Sequence, residues 1–347
     1  MADFSATVLQ ELRAKVTEKN SKEFEMRKSF GDALTPFMED ASITMPDHAA
    51  IKTNLVQTEK SLYIKNKDFT ISTSGKSCTP SGEECDSATV SLTWHPMTAV
   101  IRMSEKKFKN NEYGRMDAYA AALFNMEKSM FYGTTGLEKA MLTYLNTNRT
   151  YVNALSAGSG HNTWIGAPSY IVNVLNADIA RFYDYAKPEM QLNNYDGDII
   201  DIHSTMWNAE LAHYAAQGTA NSTNTSYQFD GFSKYATNNL ALSSYYKHIH
   251  YLIPRGGVSL LTWDGENRRL PHYNVQKGTN IWTSYDSLFK PGITMDLFIY
   301  ETCGNTTDEG GSKQDLITNM EFTLWYAILK APISVSDETP IFKYGIL

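Results

Sequence analysis

The strongest candidate metal ligands in this sequence of 347 residues are His248 and His250, which are separated by one residue. They fall in a run that predicts a strand, and residues two apart on a strand point to the same face. Two imidazoles on one face could supply two of the four ligands of a zinc site. No third ligand follows at a recognisable spacing, so we expect a solvent-facing or interface pair and no metal.

Other short motifs lack the residues that their chemistry needs. The stretch 193–201 (NNYDGDIID) places Gly197 like the glycine of a calcium loop, but Leu192 and His203 then stand where acidic ligands belong. The stretch 156–162 (SAGSGHN) lacks the G-x-S-x-G order of a nucleophile turn. The sequence has no phosphate-binding glycine motif. We therefore expect no catalytic, cofactor-binding or metal-binding residue, no cofactor and no enzyme activity.

The 3 cysteines are too few, and odd in number, for a disulfide scaffold. Cys78 and Cys85 flank a turn-rich stretch and could bridge it. However, the N-terminus lacks the apolar core of a secretory signal. We therefore expect a reducing cytoplasm, which favours free thiols. No run approaches the roughly 18 apolar residues of a membrane helix, so no membrane partner is expected.

Composition narrows the class of partner. The net charge of −7 argues against a dedicated nucleic-acid binder, which would carry a basic face, although a protein that merely encloses nucleic acid stays possible. The 21 tyrosines fit either extensive interfaces or tyrosine-rich strands, because the ring is apolar and the hydroxyl polar.

The segment 56–108 predicts a long β-hairpin. Its stretches 69–73 (FTIST) and 89–94 (TVSLTW) alternate apolar and polar residues, and a turn-rich tip at 75–85 separates them. A lone hairpin with so little apolar material is marginal in water. We expect it to lie on a neighbouring molecule.

Helical spacing predicts helices on both sides of this hairpin. Residues 5–38 read as mostly helical but polar, which indicates packing on something outside their own core. The strongest helix is predicted at 112–132, ended by Gly133, and a second follows at 137–145. An amphipathic helix is predicted at 169–187.

The rest of the chain predicts a compact α/β unit followed by strands. The unit consists of a strand at 198–203, a helix at 206–217 and a hairpin at 226–240 (SYQFDGFSKYATNNL), whose Asp-Gly suits a tight turn. The later strands are predicted at 245–253, 257–263, 294–301 and 319–332, with a last apolar run at 340–347.

The order of these parts resembles the major capsid proteins of tailed bacteriophages, which have the Hong Kong phage 97 fold. The stretch 125–141 (NMEKSMFYGTTGLEKAM) is similar to the end of that family's spine helix. The stretch 198–218 (DIIDIHSTMWNAELAHYAAQG) resembles its A-domain strand and helix, and 226–240 resembles the hairpin that follows. The resemblance covers roughly residues 56–345 and rests on order and length together.

The resemblance implies an α+β capsid fold with an N-arm, an extended E-loop β-hairpin, a long spine helix, a P-domain sheet and an α/β A-domain. It divides the chain into an N-terminal arm (1–55), the E-loop hairpin (56–111), the spine helix and start of the P-domain (112–168), mainly A-domain (169–300), and returning P-domain strands with the C-terminus (301–347).

The implied function is a structural subunit that self-assembles into pentamers and hexamers of an icosahedral virion shell, built in the bacterial host cytoplasm. The shell encloses double-stranded DNA without sequence-specific contact, and its further partners are portal, scaffolding and decoration proteins. Lys67 or Lys76 could be proposed for the cross-link that some relatives form, but residue type alone supports neither. Two alternatives stay open: an encapsulin-like bacterial compartment and a cytoplasmic α+β metal-dependent enzyme that uses His248 and His250.

Overall fold

The computed structural model describes residues 10–11, 13–18, 33–39, 47–57, 60–64, 87–104, 112–149, 162–165, 170–193, 195–210, 232–240, 243–266, 276–277, 280–308, 311–331 and 340–347. Within these ranges lie helices α1 (Thr35–Glu39), α2 (His48–Thr53), α3 (Glu112–Tyr132), α4 (Leu137–Thr147) and α5 (Phe182–Leu192), a 3-10 helix at Asn176–Arg181, and short helical stretches at 13–18 and 207–210. The strands are β1 (Lys60–Ile64), β2 (Ser87–Ser91), β3 (His95–Ser104), β4 (Asn162–Ile165), β5 (Ile171–Val174), β6 (Ile199–Ser204), β7 (Phe232–Thr237), β8 (His248–Pro254), β9 (Val258–Trp263), β10 (Gln276–Lys277), β11 (Asn280–Asp286), β12 (Thr294–Asp308), β13 (Gly311–Lys330) and β14 (Phe342–Ile346).

The first sheet is antiparallel and has the order β10-β11-β12-β13-β3. Its longest pair of strands is the hairpin of β12 and β13, whose pairing runs from Asp296 opposite Thr323 to Asp308 opposite Gly311. Strands β3 and β9 occupy successive stretches of the other edge of β13. Alternate residues of β13 turn inward and form one core with α3 and α4.

Helix α3 confirms the strongest helix prediction, because it spans Glu112–Tyr132. The predicted inner face is buried at Ala120, Leu123 and Met130. The Gly133 amide donates to the Ser129 carbonyl oxygen at 3.0 Å, and a Cβ at Gly133 would meet that same oxygen. The glycine therefore ends the helix because the chain turns back on it too closely for a side chain.

The second sheet is mixed and has the order β4-β5-β14-β8-β6-β7. Strand β14 runs parallel to β5, and β6 runs parallel to β7. Helix α5 covers the sheet through Phe182, Tyr183 and Ala186, which share a core with Phe342 and Tyr344. The C-terminal strand thus lies inside this sheet, although the sequence analysis assigned 301–347 to a different domain from 169–300.

The prediction of one helix over 169–187 is wrong in its first half. Ile171–Val174 forms β5 with all four residues buried, a 3-10 helix follows, and only Phe182 onward is α-helical. The three-and-four spacing of apolar residues is shared by a buried strand followed by a helix. The β-branched residues of β5 fit the position between β4 and β14.

The predicted hairpin segment 56–108 contains the antiparallel pair β1–β2, but parts of both predicted hairpins pair with other strands. His95–Ser104, part of the predicted 56–111 hairpin segment, pairs with β13 in the first sheet. Phe232–Thr237 forms a strand as predicted from 226–240, but it pairs in parallel with β6. Residues 226–231, the other half of that hairpin, lie outside the described residues.

The described parts of the N-terminal segment pack on the core of the first sheet, which agrees with the expectation of packing on something outside the segment's own core. Val16, Ala33, Leu34 and Phe37 are fully buried and belong to the core of the first sheet. Among the described polar residues of the segment, Gln10, Glu11, Thr17 and Glu18 are exposed. Within the described ranges, no helix is both long and apolar enough to cross a membrane.

Candidate functional site

His248 and His250 lie on β8 with exposed fractions of 5% and 0%. The expectation of a solvent-facing or interface pair is therefore wrong. Strand β8 lies between β14 and β6. The Trp207 ring contacts both imidazoles edge-on, with its ring centre 5.0 Å from that of His248 and 4.5 Å from that of His250. Sequence alternation correctly put the two rings on one face, but only the tertiary structure shows that this face is inside the protein.

Strand β6 supplies a carboxylate and a third imidazole that the sequence analysis did not connect with β8. Asp201 Oδ1 lies 3.0 Å from His250 Nδ1, and Asp201 Oδ2 lies 3.2 Å from His203 Nδ1. The Tyr183 hydroxyl donates to Asp201 Oδ2 at 2.6 Å. The Asp-x-His spacing at 201–203 was the available signal, because it places both side chains on one face of a strand.

Electrostatics keeps Asp201 ionised at the centre of this cluster. Burial raises the pKa of Asp201, but the neighbouring His250 and His203 lower it more, so the pKa lies well below its ordinary range. Burial lowers the pKa of His250, and Asp201 opposes that effect. Burial and the Asp201 charge raise the pKa of Tyr183, which therefore stays a neutral donor.

A second layer of side chains holds the cluster in place. The Trp207 indole N–H donates to the Tyr183 oxygen at 3.0 Å, and His203 Nε2 lies 3.1 Å from Asn208 Oδ1. The Lys234 ammonium lies 4.7 Å from the centre of the Tyr183 ring. Lys234 pairs with Asp201 in the register of β6 and β7, so its positive charge partly balances the buried carboxylate.

The cluster faces inward, which limits what it can do chemically. Asp201, His203 and His250 are each at most 1% exposed, and Phe182 packs 4.5 Å from His250. A substrate cannot reach these groups through the described structure without opening the core of the second sheet. The arrangement can bind a proton or a small cation, and this weighs against the enzyme alternative based on His248 and His250.

The ribbon of β1 and β2 is the candidate assembly surface. The two strands pair only with each other among the described residues. The base of the ribbon is anchored by Leu92, which belongs to a small core with Ile51 and Leu261. Leu55 and Val56, just before β1, are 77% and 75% exposed. This region therefore combines a weakly supported ribbon with apolar side chains in solvent.

Asn239, the late asparagine of the 226–240 stretch, connects the second sheet to helices α3 and α4. Its side-chain amide donates to the Tyr132 carbonyl at 3.0 Å and to Glu138 Oε2 at 2.5 Å. Lys139 donates to the Asn239 carbonyl at 3.2 Å, and Glu138 Oε1 accepts the Ala33 amide at 3.1 Å. These hydrogen bonds connect the end of β7 to helices α3 and α4, and through Glu138 to Ala33 near the N-terminus.

Two basic residues near the N-terminus face acidic partners in the same chain. Lys15 Nζ lies 3.1 Å from Asp117 Oδ1, and an Arg13 nitrogen lies 3.8 Å from Asp286 Oδ2. Arg13 also lies 5.3 Å from the centre of the Tyr285 ring. The following sequence features lie outside the described residues: Lys19, Lys22, Arg27, Lys28, Lys67, Lys76, Cys78, Cys85 and residues 156–161.

The chain is similar to solved structures from phages. "Mycobacterium phage Bobi" matches with a TM-score of 0.46 and 12% identity, covering 86% of this chain and 89% of that one. "Capsid of Ralstonia phage GP4" matches at 0.42 and 9%, covering 85% and 84%. "Capsid of empty GTA particle computed with C5 symmetry" matches at 0.39 and 8%, covering 87% and 90%. No protein-family model matches the chain, and no curated protein does. With every TM-score quoted below 0.5, similarity alone assigns no function.

Proposed function

We propose that this chain is the structural subunit of an icosahedral shell of the Hong Kong phage 97 type. The β1–β2 ribbon is the observation that carries the proposal. Both of its outer edges lack a neighbouring strand among the described residues, and an isolated two-stranded ribbon is marginal in water. A second copy of the chain supplies the missing support, and repeated head-to-tail contacts of this kind close into rings.

The proposal assigns a part of the shell subunit to each region of the fold. Helix α3 is the spine helix, and the first sheet is the P-domain. The second sheet is the A-domain, which then consists of β4 to β8 together with β14 from the C-terminus. The ribbon and the residues between its strands form the E-loop, and the residues before 56 form the N-arm.

The proposed content of the shell is double-stranded DNA held by confinement. The net charge of −7 leaves little room for a broad basic face, and Arg13 and Lys15 already face carboxylates of the same chain. The dissociated subunit should bind duplex DNA weakly and without sequence preference in fluorescence anisotropy. Portal, scaffolding and decoration proteins complete the proposed assembly, which forms in the host cytoplasm and ends as the virion capsid.

Particle formation tests the proposal directly. Purified chain should give megadalton particles in sedimentation and closed shells in negative stain. Replacing residues 65–86 with a short Gly-Ser turn should leave a folded subunit, judged by circular dichroism, that forms no particles. Normal shells from that variant would remove the ribbon's proposed role.

A milder pair of variants separates assembly from solubility. Leu55→Ser with Val56→Ser should reduce particle yield, because both side chains are expected to be covered by a neighbour. Leu192→Ser is the matched control, since Leu192 is 51% exposed on α5, away from the ribbon. Particle contents then distinguish the alternatives: packaged DNA fits the phage shell, and protein cargo fits an encapsulin-like compartment.

A further inference from the structure

The buried cluster of Asp201, His203 and His250 has the composition of a transition-metal site, and we propose that it binds one divalent cation of the zinc class. Asp201 and His203 project from the same face of β6, and His203 pairs directly with His250 on β8. The ligand atoms of all three residues lie within 4.8 Å of one another. The proposed shell function needs no metal, so this inference goes beyond it.

The two carboxylate–imidazole distances fit ligands that share one ion. Zinc binds imidazole nitrogen and carboxylate oxygen at about 2.0–2.2 Å. Two ligands of one such ion are therefore separated by roughly 3.0–3.5 Å, depending on the bond angle. The Asp201 oxygens lie 3.0 Å from His250 Nδ1 and 3.2 Å from His203 Nδ1. The adjoining Tyr183 hydroxyl, 2.6 Å from Asp201 Oδ2, holds the carboxylate as an outer-shell donor.

The surroundings of His203 supply an independent argument. His203 Nδ1 faces Asp201 Oδ2, and His203 Nε2 faces Asn208 Oδ1 at 3.1 Å. A neutral imidazole has one N–H and can donate to only one of these two oxygens. A proton or a metal cation at Nδ1 resolves the conflict. With a metal at Nδ1, Nε2 carries the proton and donates to Asn208, as a metal-bound histidine usually donates to an outer-shell oxygen.

The surroundings of His250 shield the proposed site from solvent. Its Nδ1 faces Asp201, while its Nε2 is buried and makes no hydrogen bond to any described residue. The ring is enclosed by Phe182 and Trp207, each 4.5 Å away. This shell excludes water, which would otherwise compete with the histidines for the ion, and it implies that the ion enters before the second sheet closes.

Lys234 is the competing charge. Its ammonium lies over the Tyr183 ring, and its electrostatic interaction with Asp201 raises the Lys234 pKa against the lowering by burial. Without an ion, the Lys234 ammonium is a neighbouring counter-charge to Asp201. With an ion bound, Lys234 is repelled, so removing its charge should strengthen binding.

Refolding with a spectroscopic metal tests the site. The full chain is refolded with equimolar cobalt(II) or zinc, separated from free metal, and analysed by elemental mass spectrometry. We expect about one ion per chain, visible cobalt absorption bands typical of nitrogen and oxygen ligands, and loss of both in His203→Gln and His250→Gln. His95→Gln, which changes an exposed histidine on β3, is the matched control and should keep the ion.

Two further outcomes decide the inference. Lys234→Met should bind cobalt several-fold more tightly than the unmodified chain in competition with a chelator of known affinity. Failure of the unmodified chain to retain metal after refolding would overturn the proposal, even if a histidine variant does not fold. Retention that is unchanged in His203→Gln and His250→Gln would also overturn it. Either result leaves the shell proposal intact, because particle formation is measured separately.

Discussion

Two fully buried carboxylates, Glu127 beside the first sheet and Asp201 in the second, are satisfied in different ways. Glu127, on α3, accepts hydrogen bonds from the Tyr285 hydroxyl at 2.6 Å and the Ser287 hydroxyl at 2.7 Å. It also accepts the backbone amides of Leu288 and Phe289, each at 3.0 Å to Oε2. Asp201, on β6 of the second sheet, is surrounded by side-chain donors.

The difference lies in what each donor can do. A backbone amide cannot lose its proton or rotate away, so Glu127 fixes the long helix to the turn after β11. An imidazole can turn, change its protonated nitrogen or bind a cation. The hydrogen bonds of Glu127 therefore fix α3 to the first sheet in one arrangement. The cluster around Asp201 in the second sheet can instead change its protonation or bind a cation.

Removing the charge of Glu127 should have the largest effect on stability. Glu127→Gln places an amide N–H₂ among groups that donate to the carboxylate, including two backbone amides that cannot accept, and buried donors without acceptors are costly. We expect the free energy of unfolding of the unassembled subunit to fall by about 3 kcal/mol, measured by urea denaturation. Asn125→Ala, at an exposed position of the same helix, is the control. A decrease in the free energy of unfolding no larger than that of the control would contradict a stabilising role for the Glu127 hydrogen bonds.

Asp201→Asn should cost less, about 2 kcal/mol, in the presence of a chelator. The donors around Asp201 are side chains, so they can rotate toward other acceptors in a way that the amides of 288 and 289 cannot. Denaturation under the same conditions gives the comparison. A cost larger than that of Glu127→Gln would mean that the second sheet, not the first, is the more rigidly connected.

A matched pair of tyrosine variants sharpens the comparison further. Tyr285→Phe removes one donor to Glu127, which keeps its other donors, and should cost about 1 kcal/mol. Tyr183→Phe removes a donor to Asp201 and also leaves the Trp207 indole N–H without its acceptor, so it should cost about 1.5 kcal/mol. Equal costs would indicate that the Trp207 hydrogen bond adds nothing.

The prediction for Lys343, on β14, differs in kind because it depends on pH. Burial, followed by the nearby Arg149, lowers the pKa of Lys343 from 10.5 to about 8. Between those values the unfolded chain holds a proton that the folded chain has released, so stability rises with pH across this window. The penalty is fully present below about pH 8.

Lys343→Met removes this pH dependence. The stability of the unmodified chain relative to Lys343→Met should therefore increase from about pH 8 to pH 10.5 in denaturation curves recorded at matched ionic strength. Parallel stability profiles would show that the ammonium, which donates to Asn146 at 2.8 Å, keeps an ordinary pKa.

Local patterns in the sequence determined several elements of this fold. The helices at Glu112–Tyr132 and Leu137–Thr147, and the strand at Ile199–Ser204, follow from the local pattern of their own residues. The helix end at Gly133 follows from one residue type. These features depend on side-chain and backbone preferences within about one helical turn or a few strand positions, so neighbours in sequence suffice.

The tertiary structure decided the features that depend on distant partners. Ile171–Val174 is a strand because β14 lies beside it, about 170 residues later in the chain. His95–Ser104 belongs to the first sheet because β13 takes it as an edge. Asp201, His203 and His250 form one cluster only because β6 and β8 pair in this register, and a shift by one residue would turn their side chains to opposite faces. The sequence determined that His248 and His250 lie on the same face of β8. The pairing of β8 with β6 decided that this face is buried and that Asp201 and His203 lie beside it.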